Sequence, residues 1–444
     1  MQNAKCKMQN AELVMRNAKC EMQNAKCGIR NAKRGISNAE LGIKCILHLF
    51  LKRVLQFPKK VLYCCIGKNL YLRRYMKTKI INFVKTNTVV LIAALAAIVT
   101  SFIVVPDKEY LGYFDFKTLT CLFCVLAVVC ALRNIRFFYT MAKAIIRKFK
   151  NSKLCILALV YITFIGSMLI ANDMALLTFL PLGYFVLHTT GKEKYMAFTY
   201  IMQNIAANLG GMLTPFGNPQ NLYLSTKFNI PDGEFMRIMF PPFIVAIALI
   251  TVLCLIFVKS EPLEIEEKAA ELPMPRVIVY LALFALSILI VFRAVPFIVG
   301  LIVIPVALLF LDREALKSVD YGLLLTFVFF FIFSGNMARI DAVRGFFSAL
   351  LEKNTLIFSA LSCQVISNVP SAILLSQFTS NYRELLLGVN IGGVGTLIAS
   401  LASLITFKEY TKDQPGHTLR YIVKFTAFNV LFFAVLVGVC MLIG

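Results

Sequence analysis

The sequence predicts an all-α polytopic membrane protein with about ten or eleven transmembrane segments. Hydrophobic residues make up 59% of the 444-residue chain, and charged residues only 16%. Long charge-free runs recur, many of them about as long as the 17–25 apolar residues that a spanning helix needs. One polar motif interrupts such a run in each half of the chain. These interruptions predict broken helices and re-entrant hairpins within the membrane.

The predicted spans are apolar runs separated by charged or turn-forming segments. The longer runs are 86–105, 238–258, 294–311, 321–338 and 425–444. Shorter runs that are further candidates are 118–132, 154–171, 174–188 and 277–292. We expect two of the membrane segments to be broken hairpins rather than straight helices.

The net charge of +23 does not indicate nucleic-acid binding, because much of it is concentrated in two places. Residues 1–75 contain 16 Lys/Arg and 3 Asp/Glu, and residues 133–153 contain seven basic residues and no acid. The positive-inside rule places the second cluster and the residues before the first span in the cytoplasm. We expect an integral protein of a bacterial-type plasma membrane with a cytoplasmic N-terminus and the lipid bilayer as a partner.

The first 46 residues repeat every seven positions, with Asn-Ala at 3, 10, 17, 24, 31 and 38. Met or Ile begins each heptad and Ala follows three residues later as far as position 39, which is compatible with a coiled-coil seam. Glycines at 28, 35 and 42 weaken that interpretation. We favour the alternative of translated tandem DNA or an early start codon. Met76 is then the expected start, and deletion of residues 1–75 should leave function intact.

A hydrophilic, glutamate-rich linker at residues 259–275 divides the rest of the chain into two halves. We expect a first repeat at 76–258 and a second at 276–444. Residues 1–75 are then a low-complexity basic extension that is disordered or spurious.

Each half carries the motif N-φ-G-G-φ-x-T, where φ is apolar, at 208–214 and at 390–396. Asparagine, glycine and threonine weaken a helix or compete for its backbone hydrogen bonds. Irregular backbone persists in hydrocarbon only where it is buried in protein or lines a cavity. Two matching interruptions are typical of transporters with internal repeats and a site near the bilayer midplane.

A second interruption precedes each motif. In the first half, Asn172 and Asp173 separate two apolar runs, and in the second half Ser367, Asn368 and Pro370 do so. Pro370 cannot donate a backbone hydrogen bond. We predict a re-entrant hairpin at each place, with its tip against the broken helix of the same half. Free carbonyls at such tips bind cations, and helix N-termini bind anions.

Asp173 is the only acidic residue between positions 153 and 192. A carboxylate at membrane depth costs about 2.5–3.5 kcal/mol even on the lenient insertion scale, so its default interpretation is functional. We expect Asp173 to bind Na⁺ or to carry a coupling proton. The structural alternative is an acid at a helix end that is solvated or paired with a cation.

The residues after Thr214 combine two prolines, a glycine and several amides: Pro215-Phe-Gly217-Asn218-Pro219-Gln-Asn. The prolines and glycine break a helix, and neutral amides suit an oxyanion. A surface turn is the alternative, although the charge-free flanks argue against it. The second half has no prolines at the corresponding place, so the expected symmetry is imperfect there.

Three motifs, A-N-D-M-A-L-L-T-F-L-P, T-P-F-G-N-P-Q-N and S-N-V-P-S-A, resemble those of the ion transporter superfamily. That group includes citrate transporters, divalent anion:sodium symporters, arsenite permeases and some sodium/proton antiporters. The resemblance covers residues 76–444 and implies two inverted repeats. It also implies a scaffold domain that forms a homodimer and a transport domain that moves as an elevator.

The resemblance also implies site residues. In the symporters, Ser-Asn-Thr at each hairpin tip helps to bind sodium and carboxylate. Here the first tip keeps Asn172, with alanine in place of serine and Asp173 in place of threonine. The second tip keeps Ser367 and Asn368, with valine in place of threonine. The Asn-Asp pair is more similar to the arsenite-permease and anion-permease branches, where proton coupling is equally consistent.

The resulting hypothesis is a secondary active transporter of a small anion, an inorganic oxyanion or carboxylate, coupled to Na⁺ or H⁺. A Na⁺/H⁺ antiporter or an arsenite-efflux permease is the alternative. An enzyme is not expected, because H-E-x-x-H, G-x-S-x-G and P-loop motifs are absent from the sequence. No cofactor is expected, and Na⁺ as coupling ion is the only metal considered. The residues expected to bind substrate and ion are Asn172, Asp173, Thr214, Gly217, Asn218, Ser367, Asn368, Gly395 and Thr396. The residues expected to break helices or shape hairpins are Gly210, Gly211, Pro215, Pro219, Pro370, Gly392 and Gly393.

Overall fold

A computed structural model describes residues 88–263 and 272–443 of the chain. These residues are mainly helical, and an isolated bridge between Asn151 and Pro262 is the only β pairing among them. The predictions for residues 1–75, including the heptad array, lie outside the described residues.

The described part of the first half contains eight α-helices, and short 3₁₀ helices occur at 108–113, 193–195 and 211–213. The α-helices are α1 (Thr88–Ile103), α2 (Phe116–Asn134), α3 (Phe137–Ile146), α4 (Ser152–Ile170), α5 (Asn172–Thr189), α6 (Met196–Gly210), α7 (Pro219–Lys227) and α8 (Asp232–Phe257).

The described part of the second half contains ten α-helices. They are α9 (Met274–Val291), α10 (Phe297–Leu311), α11 (Arg313–Ser318), α12 (Tyr321–Ala338), α13 (Asp341–Lys353), α14 (Thr355–Ile366), α15 (Asn368–Leu375), α16 (Tyr382–Ile391), α17 (Leu401–Asp413) and α18 (Thr418–Ile443).

Six of the described helices are long and apolar enough to cross a membrane, namely α2, α4, α8, α9, α12 and α18. The shorter apolar helices are α1, α3, α10 and α14. The predicted all-α polytopic membrane architecture is confirmed. The long spans are fewer than the ten or eleven predicted segments, because several predicted runs are short or interrupted in the fold.

The hairpins and broken helices of the two halves pack in a crossed arrangement. The first hairpin, α4–α5, contacts α6 of its own half and α17 of the other half. The second hairpin, α14–α15, contacts α16 of its own half and α7 of the other. Each hairpin therefore lies between one arm of each broken helix. Outside this group, α1 packs on α12, and α2 packs on α9, α10 and α11.

A buried glutamine joins the first hairpin to α6. The Nε2 group of Gln203 donates to the hydroxyl of Thr163 on α4 at 3.0 Å and to the carbonyl of Phe179 on α5 at 3.1 Å. An amide buried among apolar helices needs such partners, because an unsatisfied polar group in hydrocarbon is costly. The side chain of Gln203 thus binds both arms of the first hairpin.

The start of the linker binds the outer end of the first hairpin. The carbonyl of Glu261 accepts from the N–H of Ser152, the first residue of α4, at 2.8 Å. Its carboxylate pairs with Lys192 at 2.6 Å and Lys194 at 2.5 Å, and it accepts from the hydroxyl of Tyr195 at 3.1 Å. These hydrogen bonds lower the pKa of Glu261 to about 2.

Candidate functional site

Both hairpin tips are non-glycine residues with positive φ. Ala171, between α4 and α5, has φ 64° and ψ 151°, and Ser367, between α14 and α15, has φ 75° and ψ 159°. This backbone region is essentially confined to glycine and costs other residues on the order of 1–3 kcal/mol. The same strained conformation at the same place in each half indicates that the surrounding contacts determine the shape of both tips.

The asparagine after each tip binds its own backbone in the same way. Oδ1 of Asn172 accepts from the N–H of Asp173, and Oδ1 of Asn368 accepts from the N–H of Val369, both at 2.9 Å. Both asparagines are buried. Because each side-chain oxygen is engaged locally, the amide nitrogen remains for a neighbour or a ligand.

The tips and the N-φ-G-G motifs of both halves meet at Gly393. The Nδ2 group of Asn172 donates to Oδ1 of Asn208 at 3.2 Å. A Cβ added to Gly393 would lie 3.5 Å from that same Oδ1 and 3.1 Å from Nδ2 of Asn368. Gly393 is buried between side chains from both halves. We call the place where these four residues meet the junction.

The threonine that ends each motif makes an equivalent hydrogen bond. The hydroxyl of Thr214 donates to the carbonyl of Met168 at 2.9 Å, and that of Thr396 donates to the carbonyl of Gln364 at 3.2 Å. Met168 and Gln364 each lie three residues before a hairpin tip. The repeated motif therefore ties each unwound segment to the hairpin of its own half.

One side chain, that of Asn221, binds several carbonyls of the first unwound segment. Helix α6 ends at Gly210, and regular helix resumes at Pro219. The Nδ2 group of Asn221 lies within hydrogen-bond distance of the carbonyls of Gly211, Met212 and Thr214, at 3.1, 3.3 and 3.2 Å. This amide satisfies backbone acceptors that the broken helix leaves free.

Gln364 has the corresponding role in the second half. Its Nε2 group donates to the carbonyls of Gly392 at 2.9 Å and Val394 at 3.1 Å, and its Oε1 accepts from the N–H of Thr396 at 2.8 Å. Gly395 has φ 128°, and a Cβ there would lie 2.2 Å from Oε1 of Gln364. Both the backbone conformation and the available space therefore require glycine at 395.

Asn390 joins the two broken helices. Its Oδ1 is 3.4 Å from the amide nitrogens of both Asn218 and Gln220, and its Nδ2 donates to Oδ1 of Asn221 at 2.6 Å. All four side chains are buried. Neutral amides, each a donor and an acceptor, thus connect the halves of the chain without a formal charge.

Three side-chain oxygens in and around this region accept no hydrogen bond from any described residue. They are Oδ1 of Asn218, Oε1 of Gln220 and Oδ1 of Asp173, and each atom is buried. Unpaired acceptors in a buried site are costly and call for a partner such as water, a cation or a protonated ligand. Asp173 adds a carboxylate two residues after the first tip.

The helix breaks lie where the motifs predict them. Helix α6 ends at Gly210, just before Gly211, and α16 ends at Ile391, just before Gly392. Among the other predicted residues, Gly217 packs against Gly211, where an added Cβ would lie 2.3 Å from the carbonyl oxygen.

The remaining predicted residues lie close to these breaks. Ser367 donates to the carbonyl of Ala399 at 3.3 Å. Pro215 lies in the unwound segment, Pro219 begins α7 and Pro370 lies in the first turn of α15. The binding roles of all these residues stay predictions.

Sequence reasoning missed the residues that hold the breaks in place. Asn221 and Asn390 lie within the motifs described above but are not among the predicted site residues, and Gln364 lies outside those motifs. A side-chain amide inside a charge-free membrane run was the available signal, because such groups need partners in hydrocarbon.

Comparison with known proteins agrees with this architecture. A family profile described as citrate transporter matches residues 77–382. An uncharacterized transporter of Methanocaldococcus jannaschii is 33% identical over 306 residues, which cover 69% of this chain and 84% of that protein. Inner membrane protein YbiR of Escherichia coli is 27% identical over 69% of this chain and 83% of its own length.

A third relative, the transporter arsB of Dictyostelium discoideum, is 22% identical over 37% of this chain and 29% of that protein. The predicted resemblance to the ion transporter superfamily is confirmed by these matches. The family match extends from before α1 to the start of α16, and so includes both hairpins and the first broken helix. This polytopic membrane protein therefore belongs to the citrate transporter family.

Proposed function

We propose that this membrane transporter carries a small anion, an inorganic oxyanion or a carboxylate, and couples its movement to Na⁺ or H⁺. The observation that carries the proposal is the meeting of both tips and both motifs around Gly393. Helix ends that converge in this way supply backbone donors and acceptors for a solute without requiring charged side chains.

Neutral donors at the junction suit an anion. Helices α5 and α15 begin at the tips, so the positive ends of their dipoles lie next to the junction. The Nδ2 group of Asn368 lies beside Gly393 and donates to no described residue. Amide and backbone donors bind an oxyanion less tightly than Lys or Arg would, which permits release on the far side of the membrane.

Unpaired oxygens suit the coupling ion. Oδ1 of Asn218 and Oδ1 of Asp173 are buried and accept no hydrogen bond from a described residue. Na⁺ would supply the missing partner for such oxygens, and a proton would neutralise the carboxylate. We therefore propose that Asp173 provides the charge for coupling, by binding either Na⁺ or a proton.

The crossed packing supports an elevator-type movement. Because each hairpin contacts arms of both broken helices, α4–α7 and α14–α17 form one interlocked group. We propose that this group moves past α1, α2, α9, α10 and α12 during alternating access. A hairpin that moved alone would break its contacts with both broken helices.

Purified protein in proteoliposomes tests the proposal. Labelled oxyanions and carboxylates are offered under a Na⁺ gradient, a pH gradient or neither. We expect gradient-driven accumulation that Asn368→Ala lowers by roughly 10-fold or more, because a lost donor costs about 1–3 kcal/mol. Asn429→Ala is the matched control, since Asn429 is buried in α18 and bonds only within its own helix. Accumulation that ignores every imposed gradient would refute the coupling.

The orphan carboxylate favours a second candidate, Na⁺/H⁺ antiport or arsenite efflux with Asp173 as the exchanging group. An internal pH dye separates the candidates, because antiport moves protons when Na⁺ is added without any anion substrate. Asp173→Asn should abolish that signal. Growth under arsenite of cells that produce either the parent protein or the Asp173→Asn variant tests the efflux alternative.

A further inference from the structure

We propose that residues 136–150, here called the basic interfacial segment, form a surface that lies on the bilayer and binds anionic phospholipid headgroups. The segment consists of Arg136, α3 and the turn that follows α3, and it lies between the spans α2 and α4. The inference is independent of the proposed transport function.

Helix α3 has two distinct faces. Its inner face is buried and includes Ala142, Lys143 and Ile146, with the ammonium group of Lys143 4.8 Å from the centre of the Phe185 ring. The opposite face carries Met141, Ala144 and Ile145, all of which are exposed. This outer face is therefore apolar even though no described part of the protein covers it.

The position of α3 identifies what covers the apolar face. Helix α2 ends at Asn134, α4 begins at Ser152, and both are long enough to span the bilayer. A helix that connects two spans lies at the membrane surface. Met141 and Ile145, which are 48% and 42% exposed, are then in contact with acyl chains rather than water.

The flanks of this face are basic. Arg136, Arg147, Lys148 and Lys150 are exposed, and none forms an ion pair with a described residue. No acidic residue occurs between positions 133 and 153. Glu261, which bonds Ser152 just after the segment, is already engaged by Lys192 and Lys194, and both lysines lie outside the segment.

An apolar stripe with basic flanks is complementary to an anionic membrane surface. The stripe enters the headgroup region, and the cations then lie at the depth of the phosphates. A soluble phosphate would match the charges but would leave the stripe exposed. An acidic protein would match the charges but would have to displace lipid from the stripe. The combination of both features favours lipid.

The absence of tryptophan from the chain makes the test direct, because Met141→Trp introduces a single tryptophan fluorophore on the outer face. The variant is reconstituted in mixed phosphatidylglycerol and phosphatidylcholine vesicles. In one sample only the phosphatidylglycerol carries bromine on its acyl chains, and in the other only the phosphatidylcholine does. We expect stronger quenching from brominated phosphatidylglycerol at equal mole fraction.

Removal of basic side chains from the Met141→Trp protein identifies the residues that cause the preference for phosphatidylglycerol. Arg147→Gln/Lys148→Gln/Lys150→Gln should make the two brominated lipids quench equally. The control Lys353→Gln/Arg383→Gln/Lys424→Gln removes three exposed cations elsewhere and should keep the preference. Added soluble phosphate should change neither result.

Two outcomes would overturn the proposal. Equal quenching by both lipids in the Met141→Trp protein itself would exclude a preference for anionic headgroups. Absence of quenching by either lipid would show that the outer face of α3 packs against protein or is exposed to water. A melting temperature and elution volume unchanged from the parent protein would show that the tryptophan variant is folded.

Discussion

The side-chain amide of Asn390 donates a hydrogen bond to the side-chain oxygen of Asn221 at 2.6 Å, across the two halves of the chain. Asn221 in turn holds the carbonyls of the first unwound segment, and Asn390 also lies within reach of the amides of Asn218 and Gln220. One asparagine of the second broken helix therefore sets the position of the first.

Replacement of Asn390 by leucine should destabilise the protein and abolish transport. Each buried partner left unpaired costs about 1–3 kcal/mol. The matched control is Asn429→Leu, because Asn390 and Asn429 both donate to the carbonyl four residues earlier, at 2.9 and 2.8 Å. The Asn429 side chain makes no hydrogen bond to a described residue outside its helix. Thermal unfolding of the two variants checks this, and equal losses in melting temperature would contradict it.

Gly395→Ala should disrupt the second unwound segment. The added Cβ would lie 2.2 Å from Oε1 of Gln364, and φ of 128° is unfavourable for alanine. We expect a fall in melting temperature and a loss of transport. Addition of Gln364→Ala should not restore either, because it removes the clash but also the hydrogen bonds to Gly392, Val394 and Thr396. Gly438→Ala is the control, because its added Cβ meets no described atom within 4 Å beyond its chain neighbours and the backbone of its own helix. An unchanged melting temperature and transport rate in Gly395→Ala would contradict the tight packing around Gly395.

Glycine at the first hairpin tip should not lower the melting temperature, whereas glycine in the adjoining helix should. Ala171→Gly relieves strain of on the order of 1–3 kcal/mol, partly offset by about 0.4–1 kcal/mol of unfolded-state entropy. Its melting temperature should be equal to or above that of the parent. Ala175→Gly, at a fully buried position in α5, should lower it, because glycine within a helix costs roughly 0.5–1 kcal/mol. Similar losses in both variants would argue against strain at the tip.

The linker contact should make stability depend on pH in the acidic range. Hydrogen bonds from Lys192, Lys194 and Tyr195 lower the pKa of Glu261 from 4.5 to about 2. A carboxyl with a lowered pKa stabilises the fold above its ordinary pKa, and this contribution disappears as the pH falls from 4.5 towards 2. Glu261→Gln should therefore lower the melting temperature at pH 7 but have little effect near pH 2. Glu314→Gln, from an exposed pair with Lys317, should change little at either pH. A Glu261→Gln effect that is equal at both pH values would contradict the assignment.

The fold class and the places where helices break followed from the sequence for physical reasons. Charge-free runs of about 17–25 apolar residues indicate membrane segments, and clusters of glycine, asparagine and proline inside them disfavour a continuous helix. Ala171, Gly211, Ser367 and Gly392 all lie at or next to a predicted interruption. These signals are local, so a single sequence contains them.

The crossed packing and the hydrogen bonds that support it did not follow from the sequence. Gln364 and Asn221 act on carbonyls that are close in space only after the helices have broken. Asn390 finds its partners in the other half of the chain. A neutral amide in an apolar run shows that a partner is needed but not which one, because side-chain amides pair with many groups. Contacts between distant segments therefore needed the three-dimensional structure.

The ribosome makes the partners of Asn390 long before it makes Asn390 itself. Asn218, Gln220 and Asn221 lie about 170 positions earlier in the chain. At 5–20 residues per second, a ribosome needs on the order of ten to thirty seconds to cover that interval. During this interval the side-chain amides of Asn218, Gln220 and Asn221 are in the translocon or the lipid without their final hydrogen-bond partner. Neither half, produced alone, should escape the proteases that remove incomplete membrane proteins, whereas the two halves produced together should protect each other.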